Sequence, residues 1–134
     1  AGMSKSIYIQ PIFSALALFA SFHAAPLHAH PSVVCSVATA DETHQTIHRP
    51  KSNPLVMDTV NTDNGFRFSA ILLESPRKFK SYVYYESKDR FVLISKQELL
   101  LSDKWCGEKL GVGEAYSHYL ENHLSHECEY RCAP

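Results

Sequence analysis

Phe66 to Leu73 reads Phe-Arg-Phe-Ser-Ala-Ile-Leu-Leu, and its alternation puts Phe66, Phe68, Ala70 and Leu72 on one face. A period of two is the signature of a β-strand with one buried side. Two more such runs follow at once: Lys80 to Glu86, rich in tyrosine and valine, and Phe91 to Ser95. β-branched and aromatic residues fit a pleated surface. Between the runs lie Ser75-Pro76-Arg77-Lys78 and Ser87-Lys88-Asp89-Arg90, both short and polar. Three consecutive strands with short turns make an antiparallel meander. The expected whole is all-β, a compact antiparallel sandwich or barrel with at most one short helix.

The flanks are less regular. Ser32 to Ala38 is β-prone through Val33, Val34 and Val37. Asp41 to Pro54 is polar and holds Pro50 and Pro54, which predicts a loop or a single helical turn. Leu55-Val56-Met57 with Val60 predicts a short strand, and Asn64-Gly65 a tight turn. Gln97 to Leu101 either extends the third strand or begins a loop. Asp103 to Gly113 has no clear period. In Glu114 to Glu127, Tyr116, Leu120 and Leu124 form one helical stripe, but the end of the chain alternates. A short helix or loop to about Asn122, then a strand to Cys132, is the expectation.

The N-terminal segment supplies an address. Ala1-Gly2 precede Met3, which opens Met-Ser-Lys-Ser and an apolar run from Ile7 to Phe22. The run is short for a bilayer span, which needs roughly 20 residues, and Pro11 interrupts it. Residues 3–29 therefore read as a secretory signal peptide cut after Leu27-His28-Ala29. That leaves residues 30–134 as one exported β domain, periplasmic or secreted, with no membrane span. The formal net charge of −1 gives no reason to expect nucleic acid as a partner. A monomer or weak dimer is expected.

All four cysteines, Cys35, Cys106, Cys128 and Cys132, follow the signal segment. An even count in a small exported chain reads as two disulfides with three possible connectivities. Closing the longest loop restricts the unfolded chain most, which favours Cys35–Cys132 with Cys106–Cys128. A Cys/His metal site on His126, Cys128 and Cys132 is the rival arrangement.

Cys35 behind a signal peptide, Asn53-Pro54, Phe66-Arg67-Phe68 with Ala70, Tyr82-Val83-Tyr84, Val92-Leu93 and Glu127-x-x-Tyr130-Arg131-Cys132 form an ordered series. It resembles a group of small exported proteobacterial proteins of unassigned function, with a cysteine near each end and the phrase Phe-Arg-Phe-x-Ala in the middle. The resemblance implies the fold, the compartment and a disulfide between the chain ends, and no activity. Cys106 and Cys128 depart from that pattern. A local likeness is confined to Ala29-His30-Pro31-Ser32-Val33-Val34, which is similar to the mature start of periplasmic copper-binding proteins of the CopC type. It implies a copper ligand at His30 alone.

Six of the eight histidines, His30, His44, His48, His118, His123 and His126, follow the cleavage point. Neutral imidazole suits Cu(II), Zn(II) and Ni(II). As a free N-terminus, His30 would chelate through its α-amine and its ring. Pro31 has no amide hydrogen and Ser32 stands where the usual amino-terminal copper motif needs histidine. What remains is an amine-plus-imidazole clamp completed by another histidine. His123 and His126 lie on neighbouring faces of a helix but opposite faces of a strand, and His44 and His48 chelate only if helical. Glu121, Glu127 and Glu129 near the C-terminal histidines would raise their proton affinity.

No phosphate loop, Gly-x-Ser-x-Gly or His-Glu-x-x-His occurs. Tyr82, Tyr84 and Tyr85 put tyrosine on both faces of one strand, with one face for the core and the other for an aromatic platform. Two functions are in play. The first is a non-catalytic metal-binding protein handling copper through His30, with His44, His48, His123 and His126 as further candidates. The alternative is an exported interaction module (inhibitor, accessory subunit or effector) using the tyrosine strand or the loop from Ser102 to Gly113.

Overall fold

The computed structural model describes residues 30–116 and 122–132, and the expected signal peptide and His118 lie outside them. Strands β1 (Ser32–Ala38), β2 (Thr43–His48), β3 (Asp58–Asn61), β4 (Phe66–Leu73), β5 (Lys78–Ser87), β6 (Arg90–Leu100), β7 (Lys109–Tyr116) and β8 (His123–Arg131) follow one another, with one 3₁₀ turn at Asp103–Trp105. They form two four-stranded sheets, ordered β2-β1-β8-β7 and β3-β4-β5-β6, here called sheets A and B. All strand pairs within the sheets are antiparallel. The two sheets pack face to face as a β-sandwich.

The meander holds. β4 has the expected bounds and buries Phe66, Phe68, Ala70 and Leu72, while β5 adds Phe79 and Val83 to the same core. Against them sheet A sets Val33, Cys35, Val37, Leu124, Cys128 and Tyr130. Gly65 closes the turn before β4 at φ +96, a left-handed conformation that side chains resist. The β5–β6 turn reverses through Lys88 and Asp89, both at positive φ (53 and 65), the geometry of a type I′ hairpin. β6 takes in Gln97 to Leu100, so the third strand extends.

Four expectations need correction. The polar stretch Asp41 to Pro54 contains β2, paired with β1 from Val33↔His48 to Ala38↔Thr43. Its inward residues are His44, Thr46 and His48, so no apolar alternation announced it. Leu55 and Val56 are exposed in a turn, where the Asn53 side chain accepts a hydrogen bond from the Leu55 N–H (2.9 Å), and the strand starts only at Asp58. Tyr116 belongs to β7 and Leu124 to β8, so the helical stripe is absent among the described residues. The disulfides are Cys35–Cys128 and Cys106–Cys132. Register decides the first: Cys35 and Cys128 stand directly opposite across β1 and β8, with Cα atoms 4.0 Å apart. Cys132, just past β8, is left to tie down the loop bearing Cys106. With all thiols in disulfides, the Cys/His metal site is overturned.

Candidate interaction surface

Alternation turns Arg67 on β4, Tyr82 and Tyr84 on β5, and Leu93 and Lys96 on β6 to the outer face of sheet B. Register aligns them into rows: Arg67–Tyr84–Leu93 and Ser69–Tyr82–Lys96. The Tyr82 and Tyr84 rings lie near-parallel at 29° with centroids 6.4 Å apart. The Arg67 guanidinium sits 3.8 Å from the centre of the Phe91 ring and donates from Nε to Asn61 Oδ1 at 2.8 Å. A cation held over an aromatic face is fixed without losing its charge. Tyr85 goes the other way. Its ring packs against Phe66 at 4.8 Å, and its oxygen accepts from Asn122 Nδ2 at 3.1 Å. Of the three tyrosines, two form the platform and the third joins the core.

β6 is an edge strand of sheet B and, at eleven residues, the longest strand described. Near its middle Val92, Leu93 and Ile94 are 40%, 46% and 43% exposed. Register shifts here: Tyr84 pairs with Leu93 but Val83 with Ser95, leaving Ile94 as a bulge, while Val92 pairs with Tyr85 and so turns to the opposite face from Leu93. Farther along, the Gln97 side-chain amide donates to the Leu110 carbonyl of β7, tying this edge to sheet A. The loop from Ser102 to Gly113 borders a separate recess of about 600 Å³ between Leu100, Trp105 and Lys109.

The five candidate histidines are dispersed. His30 is exposed in a recess with Pro31, Arg49, Pro50, Glu74 and Arg77, with no other histidine in its lining. His44 lies 3.3 Å from Glu42 Oε2. His123 faces outward on β8, stacked on Tyr116 at 4.6 Å and 3.4 Å from Glu114 Oε1. His126, three residues on, faces inward at 5.3 Å from the Phe68 ring. Its ring occupies the space a Cβ would need at Gly113, its partner on β7. Burial lowers the His126 pKa below its ordinary 6.5. His44 and His48 share the inner face of β2 with Thr46 between them, as a strand dictates. Among the described residues, Asp103, Cys106 and Cys132 form the one cluster of three potential metal ligands, and its two sulfurs are joined to each other.

His48 anchors an arrangement no sequence motif announced. It is 1% exposed. Its Nδ1 lies 3.0 Å from Asp58 Oδ2 and its Nε2 lies 2.7 Å from Thr46 Oγ1. Lys51 Nζ donates to the other Asp58 oxygen at 3.0 Å. A neutral ring with its proton on Nδ1 donates to the carboxylate and accepts the Thr46 hydroxyl, satisfying both nitrogens. Burial lowers the His48 pKa, though Asp58 opposes this. For Asp58, burial pushes upward, but the hydrogen bonds from Lys51 and His48 hold it below the usual value. Thr46, His48 and Asp58 have the connectivity of a nucleophile–base–acid relay. Its ends sit on β2 and β3, so it joins the two sheets as a polar clasp.

Two disulfides point to an oxidising compartment. Among the described residues no helix is long and apolar enough to cross a membrane. Comparison with protein-family models, with curated proteins and with solved structures gives no match for this chain.

Proposed function

We propose that this protein is an exported, non-catalytic interaction module that binds another protein through the outer face and edge of sheet B. The supporting observation is the continuity of the Tyr82–Tyr84 platform with Leu93 on an edge strand where Val92 and Ile94 are exposed as well. Accessible aromatic and aliphatic residues gathered in one patch are what interface centres use. Export is supported by the expected signal peptide and by the two disulfides.

A copper-handling role for His30 draws less support. It needs a second imidazole, and the recess around His30 holds two arginines, Arg49 and Arg77, against one carboxylate, Glu74, a balance that opposes a cation.

Site-specific photo-crosslinking in cells exporting the protein tests the reading. A benzophenone side chain replacing Tyr84 should give a discrete protein adduct that Leu93→Lys abolishes. The same group replacing Ser36, on the outer face of sheet A, should give none. Equal adducts from both positions, or none from Tyr84, would contradict the proposal. A Cu(II) titration of the protein beginning at His30 should show no binding tighter than micromolar that His30→Ala removes.

A further inference from the structure

The β6 edge combines two features that normally exclude each other. It is apolar and open in the middle, which invites strand addition, because every second residue of an edge strand turns its N–H and C=O away from the sheet. It is also guarded. Arg90 and Lys96 bracket the apolar stretch, and the bulge at Ile94 interrupts the ladder. Lys88 adds a further cation at the β5–β6 turn. Register puts the two cations on opposite faces, Arg90 opposite Ser87 on the Tyr85 side and Lys96 opposite Tyr82 on the platform side. Each end of the apolar stretch therefore offers a positive charge, one from each face. Opposite charges set against each other stabilise a strand pair. The guard thus leaves the apolar centre accessible to a segment with the opposite sign at its ends.

Resting on the proposed interaction role, we infer that the partner contributes an extended segment that pairs with Arg90–Lys96 as an added strand, apolar in its centre and carrying carboxylates at both ends. Main-chain hydrogen bonds to β6 supply affinity in this mode, and side chains at alternate positions supply specificity. Its outward side chains lie beside Leu93, in the row that continues through Tyr84 to Arg67. Its terminal carboxylates meet Arg90 and Lys96. Lys96 has only a partial counter-charge, Glu98 at 3.5 Å with both groups substantially exposed, so the pair opens at little cost.

The test uses fluorescein-labelled peptides of alternating valine and threonine, flanked at both ends by two aspartates or by two lysines. Fluorescence anisotropy against the folded, disulfide-intact protein should show the aspartate form binding roughly tenfold more tightly at low salt, with the gap shrinking as salt rises. Hydrogen exchange at Val92 to Ser95 should slow on binding. The double variant Arg90→Glu/Lys96→Glu, both positions being exposed, should reverse the peptide preference while leaving the circular dichroism spectrum unchanged. Equal binding of the two peptides, or protection away from β6, overturns the inference. Dimerisation in sedimentation that Leu93→Lys abolishes also overturns it, by assigning the edge to a second copy. If the Tyr84 crosslink persists while the peptides fail, the partner's chemistry is wrong and the interaction role stands. If both fail, the role falls too.

Discussion

Sheet A and sheet B solve the same packing problem with different materials. Sheet B brings Phe66, Phe68, Leu72, Phe79 and Val83 to the interface, all essentially buried. Aromatic and branched side chains of this size supply the hydrophobic term unaided. Sheet A brings Leu110, Leu124 and Tyr130, but beside them smaller or polar groups: Val33, Val37 and Ala115, a disulfide, and the imidazoles of His48 and His126. It compensates with covalent and polar ties. Cys35–Cys128 joins its two central strands, Cys106–Cys132 secures the loop before β7, and the Thr46–His48–Asp58–Lys51 clasp holds its β2 edge to β3. The edges differ in the same sense. β2 and β3 are short and fastened to each other, whereas β6 is long and exposes three apolar residues in a row; Ile47 on β2 and Val112 on β7 are exposed singly. Stability devices gather in sheet A and along the β2–β3 clasp, and the features proposed for recognition lie at the outer face and β6 edge of sheet B.

Removing the central staple is the harshest way to break this comparison. Cys35→Ala/Cys128→Ala opens a loop with a sequence separation of 93. It should cost about 4–5 kcal/mol in the chain-entropy model, measured by urea unfolding.

The clasp comes next. Asp58→Ala strips the partner from His48 Nδ1 inside the protein, and should destabilise by about 1–3 kcal/mol.

Acid should act on the same side of the molecule. His48 and His126 both have folded pKa values depressed below 6.5, chiefly by burial. Between the folded and unfolded values the unfolded chain binds more protons, so stability is full above about pH 6.5 and falls as pH drops through that value. Asp58, also depressed, adds a loss only below its ordinary 3.8. Melting temperatures from pH 8 to pH 5 should therefore decline, and His126→Phe should flatten part of the slope. A melting temperature that rises toward pH 5 would contradict this assignment.

The smallest effect sits at the β5–β6 turn on the other sheet. Asp89→Gly relieves a non-glycine residue at φ 65 and should raise stability by about 0.5–1 kcal/mol without touching the platform.

Legibility in the sequence followed the same divide. β4 to β6 were readable because alternation assumes that inward means apolar, and Phe66, Phe68 and Val83 obey. β2 escaped because its inward row is His44, Thr46 and His48, which a hydropathy pattern reads as loop. β7 escaped because Gly111 and Gly113 have weak strand propensity, and the reason for Gly113 is a histidine ring thirteen residues away in the chain. The disulfide pairing was misjudged because loop entropy describes only the unfolded chain, while the β1–β8 register brings Cys35 opposite Cys128 in the folded one. The tyrosine platform was legible from parity alone, and so was the point that His123 and His126 part company on a strand. The clasp was not legible, because Asp58 reaches His48 only through the pairing of each strand within its own sheet and the stacking of those sheets.

The central claim is that stability and the proposed recognition reside in separate parts of the sandwich, the β2–β3 clasp and the opposite, β6 edge, and two substitutions measured together test it. Leu93→Lys and Asp58→Ala should each be assayed for urea unfolding and for binding of the aspartate-flanked peptide. The expected result is a clean crossing: Leu93→Lys keeps stability within about 0.5 kcal/mol and loses binding, while Asp58→Ala loses stability and, where still folded, binds as before. If Leu93→Lys destabilises the fold as much as Asp58→Ala does, or if Asp58→Ala weakens binding in the folded protein, the division between the two sides is wrong.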